Sequence, residues 1–435
     1  MSKVASLNVP SDIVAADRKP TDWSSDAMRS RVRRRYRSER IFRTTGFLAV
    51  SLSVLFLAFL LFDMLSKGAS GFQQAEIAVP VTLDSGELML TKAQLQGPEA
   101  DAALAAADIQ GAVVRGATQA YGDKGIRLLS EGAWVRVRNM LEDDPSLLGK
   151  TTTMWLSAES NLDLIAKGKM PESAAPEAAA SYQRLMAQDQ VRVAFNWTFL
   201  TGADSTDPTL AGIWGAFKGS LITMFVTLLI SFPVGVLSAL YLEEYAPRNR
   251  WTDMIEVSIN NLAAVPSIIF GLLGLAVFLN FMHMPRSAPL VGGLTLALMT
   301  LPVIVIAGRN AIKSVPPSIR DAALGVGASP VQVVFHHVLP LALPGILTGT
   351  IIGMARALGE TAPLLMIGMR AFISAPPTGI TEPATVLPVQ IFLWSDEVSR
   401  GFVEKTSAAI IVLLVFLLAM NGLAIYLRNK FERRW

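Results

Sequence analysis

Two charged residues, Arg356 and Glu360, stand inside an otherwise apolar segment at residues 343–369, LPGILTGTIIGMARALGETAPLLMIGM. A charge at the centre of a membrane helix is unfavourable by roughly 2.5–3.5 kcal/mol, so a pair of them needs a reason. Arg offers planar donors to an oxyanion, and a Glu one helical turn away can hold the guanidinium and balance its charge. Glu360 can also accept a hydrogen bond from a protonated oxyanion, which would favour phosphate over sulfate. The alternative is a neutralising pair that only locks the helix to a neighbour.

Three glycines precede the pair at a spacing of four: Gly345, Gly349 and Gly353. This spacing places them on one helix face, where small residues allow close helix packing in a membrane. Arg356 and Glu360 are predicted on or beside that face, pointing away from lipid. With Gly345 as the cytoplasmic start, Arg356 lies about 16 Å along the helix, near mid-membrane.

The composition indicates a membrane protein. Of the 435 residues 51% are apolar and 17% charged, and the mean hydropathy is +0.43. Cysteine is absent, which excludes disulfides and thiolate metal sites. The only histidines, His283, His336 and His337, form no ligand pattern. Metal and redox chemistry are therefore not expected, and no cofactor is predicted in this chain.

Six apolar runs are long enough to cross about 30 Å of hydrocarbon. They lie at residues 45–66, 216–241, 257–281, 288–308, 343–369 and 406–427. Five of them fall in a core at 212–435, and the first follows a basic tail at 1–44. The predicted fold class is therefore an all-α polytopic membrane protein with six transmembrane helices and a small inserted α+β domain.

Basic residues suggest the orientation of these helices. Eight arginines lie between Arg29 and Arg43, just before the first span, and the positive-inside rule places them in the cytoplasm. Six crossings return the C-terminus to the same side, and its tail is also basic: Arg428, Lys430, Arg433 and Arg434. Nucleic-acid binding is the less favoured reading of an arginine run beside a span. The long segment before the first span predicts a retained anchor rather than a cleaved signal.

Residues 67–211 are polar and too long for a simple loop, so they are predicted to fold as a domain on the outer, periplasmic face. Three stretches favour strands: Glu76–Leu83, Thr151–Ser157 and Val191–Leu200. Two Ala-rich stretches favour helices: Glu99–Tyr121 and Ser181–Ala187. The sequence does not indicate the function of this domain.

The loop at 309–342 is predicted to contain two short helices. Ser318 can cap the first, with Asp321 three residues later, and Gly327 can end it. Ser329-Pro330 then begins the second. From the residues alone, Asp321 is only a capping acid and the alanines are ordinary helix formers.

This loop resembles the EAA loop of ABC-importer permeases in Asp321-Ala322-Ala323, in Gly327 and in Leu339-Pro340. The resemblance implies that the short helix sits in a groove of a cytosolic ATPase and transmits its movement. Arg320 would add polar contacts at the rim. The sequence departs from the family pattern at Asp321, where Glu is usual, and at His337, where Ile is common.

Three further segments resemble the PstA-type permeases of phosphate ABC importers, and the likeness covers about residues 212–435. The segments are ARALGETAPLL (Ala355–Leu365), VPSIIFG (Val265–Gly271) and TVLPVQIFLW (Thr385–Trp394). Residues 1–211 are less typical and resemble an extended form with a large periplasmic insertion. The resemblance implies a type I ABC importer permease fold.

It also implies a function: the permease subunit of an ATP-driven, high-affinity importer of inorganic phosphate in the bacterial inner membrane. The implied partners are a PstC-like permease subunit, a PstB-like ATPase dimer and a PstS-like phosphate-binding protein, with lipid around the helices and no nucleic acid. Arg356 and Glu360 would then line the substrate path. Arg320, Asp321, Ala322, Ala323 and Gly327 would form the coupling site. The chain has no complete P-loop, so ATP would be bound and hydrolysed by the partner ATPase, and this chain would not be catalytic.

Pro266 is predicted to bend the third span, either to free carbonyls for a cavity or as a packing kink. It joins Gly345, Gly349 and Gly353 as a predicted helix-packing position.

Two other functions compete with phosphate import. A permease for sulfate, molybdate or phosphonate would share the coupling loop. A membrane-anchored sensor would use the outer domain to bind ligand, but no signalling module follows the last span.

Overall fold

A computed structural model describes residues 23–97, 100–370 and 372–431 of the chain. Residues 1–22 of the predicted basic tail lie outside this range, and so do Arg433 and Arg434. The chain divides into two compact units, Met1–Asp63 and Met64–Trp435.

The first helix, α1, runs from Asp26 to Gly68 without a break. Its 43 residues extend for about 64 Å at 1.5 Å per residue, roughly twice the thickness of the hydrocarbon layer. It therefore contains the predicted first span and also the arginine run between Arg29 and Arg43, which is helical and exposed.

The inserted domain is a small α+β unit, as predicted. Its strands are β1 (Gln73–Thr82), β2 (Thr151–Ser157) and β3 (Val191–Phe195). Its helices are α2 (Lys92–Leu95), α3 (Ala100–Ala106), α4 (Ile109–Tyr121), α5 (Ala133–Asp143), α6 (Ser160–Ala166), α7 (Pro176–Ala187) and α8 (Trp197–Thr201). Short 3₁₀ turns lie at Ala69–Phe72, Gly125–Leu128, Pro145–Leu147 and Glu172–Ala174.

The three strands form an antiparallel sheet in the order β2-β1-β3. The middle strand is almost wholly buried, since Ile77, Val79 and Val81 are inaccessible to solvent. Helix α4 covers it, and a Cβ on Gly116 would overlap the Pro80 carbonyl. The third strand ends at Phe195 and does not reach Leu200, because the Asn196 side chain caps α8 by accepting from the Phe199 amide at 2.9 Å.

The membrane helices and the short helices that connect them follow the inserted domain and belong to the same compact unit. They are α9 (Trp214–Leu240), α10 (Arg250–Ala263), α11 (Ser267–Gly274), α12 (Pro289–Lys313), α13 (Pro317–Gly325), α14 (Pro330–Gln332), α15 (Leu339–Gly359), α16 (Ala362–Met366), α17 (Leu387–Ser395) and α18 (Gly401–Phe431). Three π-helical turns extend helices in this region: Tyr241–Tyr245, Leu275–Phe281 and Val333–Val338.

The predicted polytopic helical fold is confirmed. In the described part of the chain, five helices are long and apolar enough to cross a membrane, and a bent pair of helices makes the count up to six. That pair corrects the third predicted span, 257–281, which is not one helix. α10 and α11 meet at an angle of 102°, and Pro266 is the residue before α11. Proline lacks an amide donor and disfavours helical geometry in the residue before it, so the helix breaks there.

Helix α12 lies between α9 and α15 and is the centre of the membrane core. Small residues make both contacts close. A Cβ on Gly308 would come within 2.8 Å of Ala239 in α9, and one on Gly345 within 2.6 Å of Ala311 in α12. This packing fixes α15, the helix that carries Arg356.

Candidate functional site

Arg356 lies in the last turn of α15, and Glu360 follows the end of that helix with extended backbone (φ −77°, ψ 123°). The guanidinium Nε is 3.4 Å from Glu360 Oε1. The Arg356 side chain is 47% exposed and that of Glu360 17%. The structure brings the two charges together, but Arg356 lies on the surface of the chain and is not buried within it.

The fifth predicted span, 343–369, is also corrected. It ends at Gly359, and α16 is a separate short helix. Pro363 explains the break, because its ring would clash with the Gly359 carbonyl if α15 continued. The break leaves Glu360 between two helices instead of one turn further along the same helix.

The glycine stripe of α15 faces α12. A Cβ on Gly349 would overlap the Ala307 methyl group, whereas one on Gly353 would lie 3.8 Å from Val303. Ala357 continues this buried face. Arg356 therefore lies beside the packed face, and its position leaves the guanidinium accessible from outside the subunit.

The Arg356 guanidinium keeps most of its donors free. Its 3.4 Å contact with Glu360 is its one hydrogen bond within the described residues. The C-terminal end of a helix carries partial negative charge, which favours a cation in the last turn. The arrangement can offer charge-assisted hydrogen bonds to an oxyanion, with Glu360 holding the guanidinium in place.

One buried polar atom that faces α15 from a neighbouring helix was not predicted from the sequence. Thr223 Oγ1 in α9 is buried and has no hydrogen-bond partner among the described residues. It lines a small cavity together with Ala357 and Leu358. The only signal in the sequence is a threonine in an apolar span, which a helix interior usually satisfies through its own carbonyls.

The predicted coupling loop contains the two helices. Pro316 precedes α13, and no side chain caps its start, which corrects the expected Ser318 cap. Gly327 ends the helix with φ +91°, and its amide donates to the Leu324 carbonyl at 2.9 Å. The Ala328 amide reaches the Ala323 carbonyl at 3.1 Å, which completes a glycine C-cap. Ser329 caps α14 through a capping box with Gln332.

The exposed face of α13 is suited to binding a partner. Asp321, Ala322 and Gly327 are exposed, whereas Ala323 is buried against the core. Val326 is 87% exposed at the tip, next to Leu324. An apolar tip beside small residues permits close approach of another protein surface.

Arg320 differs from the expected rim contact because its side chain points into the subunit. The guanidinium donates to Glu244 at 2.6 Å and to the carbonyls of Val315 (2.7 Å) and Ile312 (3.0 Å). Only 22% of the side chain is exposed. These contacts occupy its donors within the chain, so Arg320 fastens α13 to the ends of α9 and α12.

The described residues hold no group of three or more potential metal ligands. His336 and His337 are exposed on the π-helical turn that precedes α15. His283 lies in the connection before α12 with φ +54°.

Comparison with known proteins gives two family matches. The family described as "Binding-protein-dependent transport system inner membrane component" matches residues 209–434. A domain of unknown function, DUF3333, matches residues 29–176.

Curated relatives are similar to about half of this chain. A probable ABC transporter permease protein, YqgI of Bacillus subtilis, is 32% identical over 255 residues, which cover 54% of this chain and 85% of that one. The phosphate transport system permease protein PstA of Haemophilus influenzae is 30% identical over 224 residues, 51% of this chain and 77% of that one.

Among solved structures, an inward-facing MetNI methionine ABC transporter aligns with a TM-score of 0.40 and 19% identity over 51% of this chain and 95% of that one. The family match covers the whole membrane core, from before α9 to the end of α18. The chain therefore belongs to the binding-protein-dependent transport system inner membrane components, as a PstA-like permease of an ABC importer.

Proposed function

We propose that this chain is the permease subunit of an ATP-driven importer of inorganic phosphate, and that Arg356 and Glu360 line the path of the anion. The observation that carries the proposal is the half-exposed Arg356 guanidinium, held by Glu360 at a helix break on the surface of the membrane core. Relatives that bear the name PstA support phosphate as the substrate.

The other subunits follow from the proposed function. A PstC-like permease subunit would complete the path, a PstB-like ATPase dimer would bind the exposed face of α13, and a PstS-like binding protein would deliver phosphate from the periplasm. Both termini would lie in the cytoplasm, because the positive-inside rule places the arginine run on α1 and the basic end of α18 on that side. The inserted domain would lie on the periplasmic face.

The two charged residues suggest how phosphate would be preferred over sulfate. Arg356 attracts either anion, so it does not discriminate between them. Phosphate retains a proton near neutral pH and can donate it in a hydrogen bond to Glu360, whereas sulfate has no proton to donate and is repelled. A site that accepts a hydrogen bond from its ligand strongly disfavours an analogue without that donor, because the acceptor of the protein is then left unpaired.

The test is uptake of labelled phosphate by proteoliposomes that contain this chain, its co-purified partner subunits and the binding protein. We expect ATP-dependent uptake of labelled phosphate that a tenfold excess of unlabelled phosphate reduces about tenfold and a tenfold excess of sulfate leaves unchanged. Sulfate uptake at the same rate would contradict phosphate selectivity. An ATPase-bound complex that carries neither oxyanion would contradict the proposed path.

A further inference from the structure

The end of α9 carries two consecutive glutamates that each bind an arginine from a different helix. Glu243 and Glu244 lie in the π-helical turn Tyr241–Tyr245, which the Ala246 amide closes by donating to the Tyr241 carbonyl at 2.8 Å. π-helical turns are uncommon and occur often at functional sites. Both carboxylates are partly buried, so their contacts are less screened than those of a surface pair.

Glu244 connects α9 to the coupling helix. Its carboxylate accepts from Arg320 of α13 at 2.6 Å. The same guanidinium donates to the carbonyl of Ile312 in α12 and to that of Val315, just after this helix. Arg320 thus joins α13 directly to the ends of α9 and α12.

Glu243 connects the same turn to α10. It lies 3.4 Å from Arg309 Nε, and a second nitrogen of Arg309 lies 2.9 Å from Glu256 in α10. The five charges therefore form two sets of ion pairs, Arg320–Glu244 and Glu243–Arg309–Glu256, which the backbone of the π-helical turn joins across four helices. We call them the glutamate–arginine network.

Beyond α10, backbone packing continues to the candidate anion site. α10 meets α11 at the 102° bend by Pro266. A Cβ on Gly271 of α11 would lie 2.7 Å from Pro363 Cα in α16, so these two backbones are in close contact. α16 begins two residues after Glu360.

We infer that the glutamate–arginine network transmits movement of the coupling helix to the α10–α11 elbow and from there to the Glu360 segment. Its members are positioning residues, because their charges bind one another and the inference assigns them no contact with the anion or ATP. The inference rests on the proposed function in assuming that a partner ATPase moves α13. Loss of the Glu244 charge leaves the partly buried Arg320 without its carboxylate partner, which weakens the connection without removing the exposed docking face.

The test measures how strongly the loaded binding protein stimulates ATP hydrolysis by the reconstituted complex, together with labelled phosphate taken up per ATP. Glu244→Gln should leave ATPase co-purification and basal hydrolysis unchanged and reduce the stimulation at least fivefold, within the usual range of coupling energies. Glu244→Arg should reduce it further, because two cations then face each other. Adding Arg320→Glu to that variant restores opposite charges and should raise the stimulation above that of Glu244→Arg, although a glutamate cannot donate to the Val315 and Ile312 carbonyls.

Wild-type stimulation in Glu244→Gln would overturn the inference. The inference would also be overturned if the charge-swapped variant assembled but its stimulation were no higher than that of Glu244→Arg alone. A specific ion pair predicts rescue, whereas a general loss of stability does not. If the Arg variants fail to assemble, Glu256→Gln provides the second test at a more exposed position, and unchanged stimulation there contradicts the α10 connection. A wild-type complex that is stimulated but carries no phosphate would contradict only the proposed substrate.

Discussion

A glycine in a membrane helix is required for packing where a Cβ at its position would overlap a neighbouring helix. Gly349 and Gly353 lie one turn apart on the same face of α15, yet their surroundings differ. At Gly349 the Ala307 methyl group of α12 would overlap an added Cβ. At Gly353 an added Cβ would have only ordinary van der Waals contacts with α12. Of the two, only Gly349 is required by the packing that holds the Arg356 helix.

Gly349→Ala should therefore destabilise the subunit by about 1–3 kcal/mol, the usual cost of forcing extra volume into a packed core. Gly353→Ala is the matched control and should be neutral or stabilising, because Ala favours helix over Gly by up to about 1 kcal/mol. Thermal unfolding of the purified subunit in detergent measures both. Equal melting temperatures for the two variants would contradict the close α12 contact.

Asp204, in the connection between α8 and α9, makes stability depend on pH. Burial raises the pKa of its carboxyl above the ordinary value, although the hydrogen bond from the Trp394 indole (2.9 Å) opposes the rise. The folded state then holds the proton more tightly than the unfolded state. Stability is full below the ordinary carboxyl pKa and falls as pH rises through the raised value.

Asp204→Asn keeps an oxygen that accepts from Trp394 and removes the titration. We expect the variant to lose the fall in melting temperature that this carboxyl contributes as the pH rises above the ordinary carboxyl pKa. Asp189→Asn, at an exposed position with φ +53°, is the control and should keep it. The same pH slope in Asp204→Asn and wild type would exclude Asp204 as its source.

For single residues, the sequence predicted the charged pair and its chemistry, but not how exposed each side chain is or which residues surround it. Arg356 and Glu360 were predicted as a pair because two charges in an apolar run are costly. Their exposure could not be predicted, because it depends on which face α12 covers. Arg320 was assigned to the rim because a sequence does not show that Glu244, 76 positions earlier, lies beside it.

At the scale of elements, prolines and glycines fix where helices stop. The breaks at Pro266 and Pro363 turn two predicted spans into helix pairs, and the second break holds Glu360 of the proposed path. Hydropathy alone cannot locate them, since the apolar runs continue through both. The Gly327 end of α13 was predicted correctly because a left-handed C-cap requires a residue without a Cβ.

Gly327→Ala should strain this C-cap by about 1–2 kcal/mol, the cost of a left-handed conformation for an L-residue. We expect binding of the purified ATPase to the permease to weaken about five- to thirtyfold if the strain displaces the α13 tip. Gly325→Ala is the control, since an added Cβ there meets nothing within 4 Å. Equal affinities for the two variants would show that the docking face tolerates a changed C-cap.

At the scale of the whole molecule, buried charges join the inserted domain to α18. The Lys167 ammonium lies 2.6 Å from Asp163 in α6 and 3.2 Å from Glu404 in α18, with its side chain only 1% exposed. A Cβ on Gly71 would meet the Glu404 carbonyl, so the backbones are also close. The sequence predicted an inserted α+β domain but not this junction, because its charges are far apart in the chain.

Lys167→Met removes the shared cation and leaves two buried carboxylates unpaired, which should cost on the order of 3–5 kcal/mol. We expect faster limited proteolysis of the inserted domain in the assembled protein. Lys169→Met removes a nearby, more exposed lysine whose ammonium donates to the Ser66 carbonyl. This control should change the proteolysis rate little. Unchanged proteolysis of Lys167→Met would contradict a structural role for the junction.

Phosphate uptake by an Arg356→Gln complex tests most directly whether Arg356 contacts the transported anion. Hydrogen bonds to charged groups contribute about 1.5–3 kcal/mol, so uptake should fall about ten- to a hundredfold while subunit assembly and basal ATP hydrolysis persist. Arg184→Gln removes an exposed arginine of the inserted domain and should transport normally. Wild-type uptake by an assembled Arg356→Gln complex would contradict this contact.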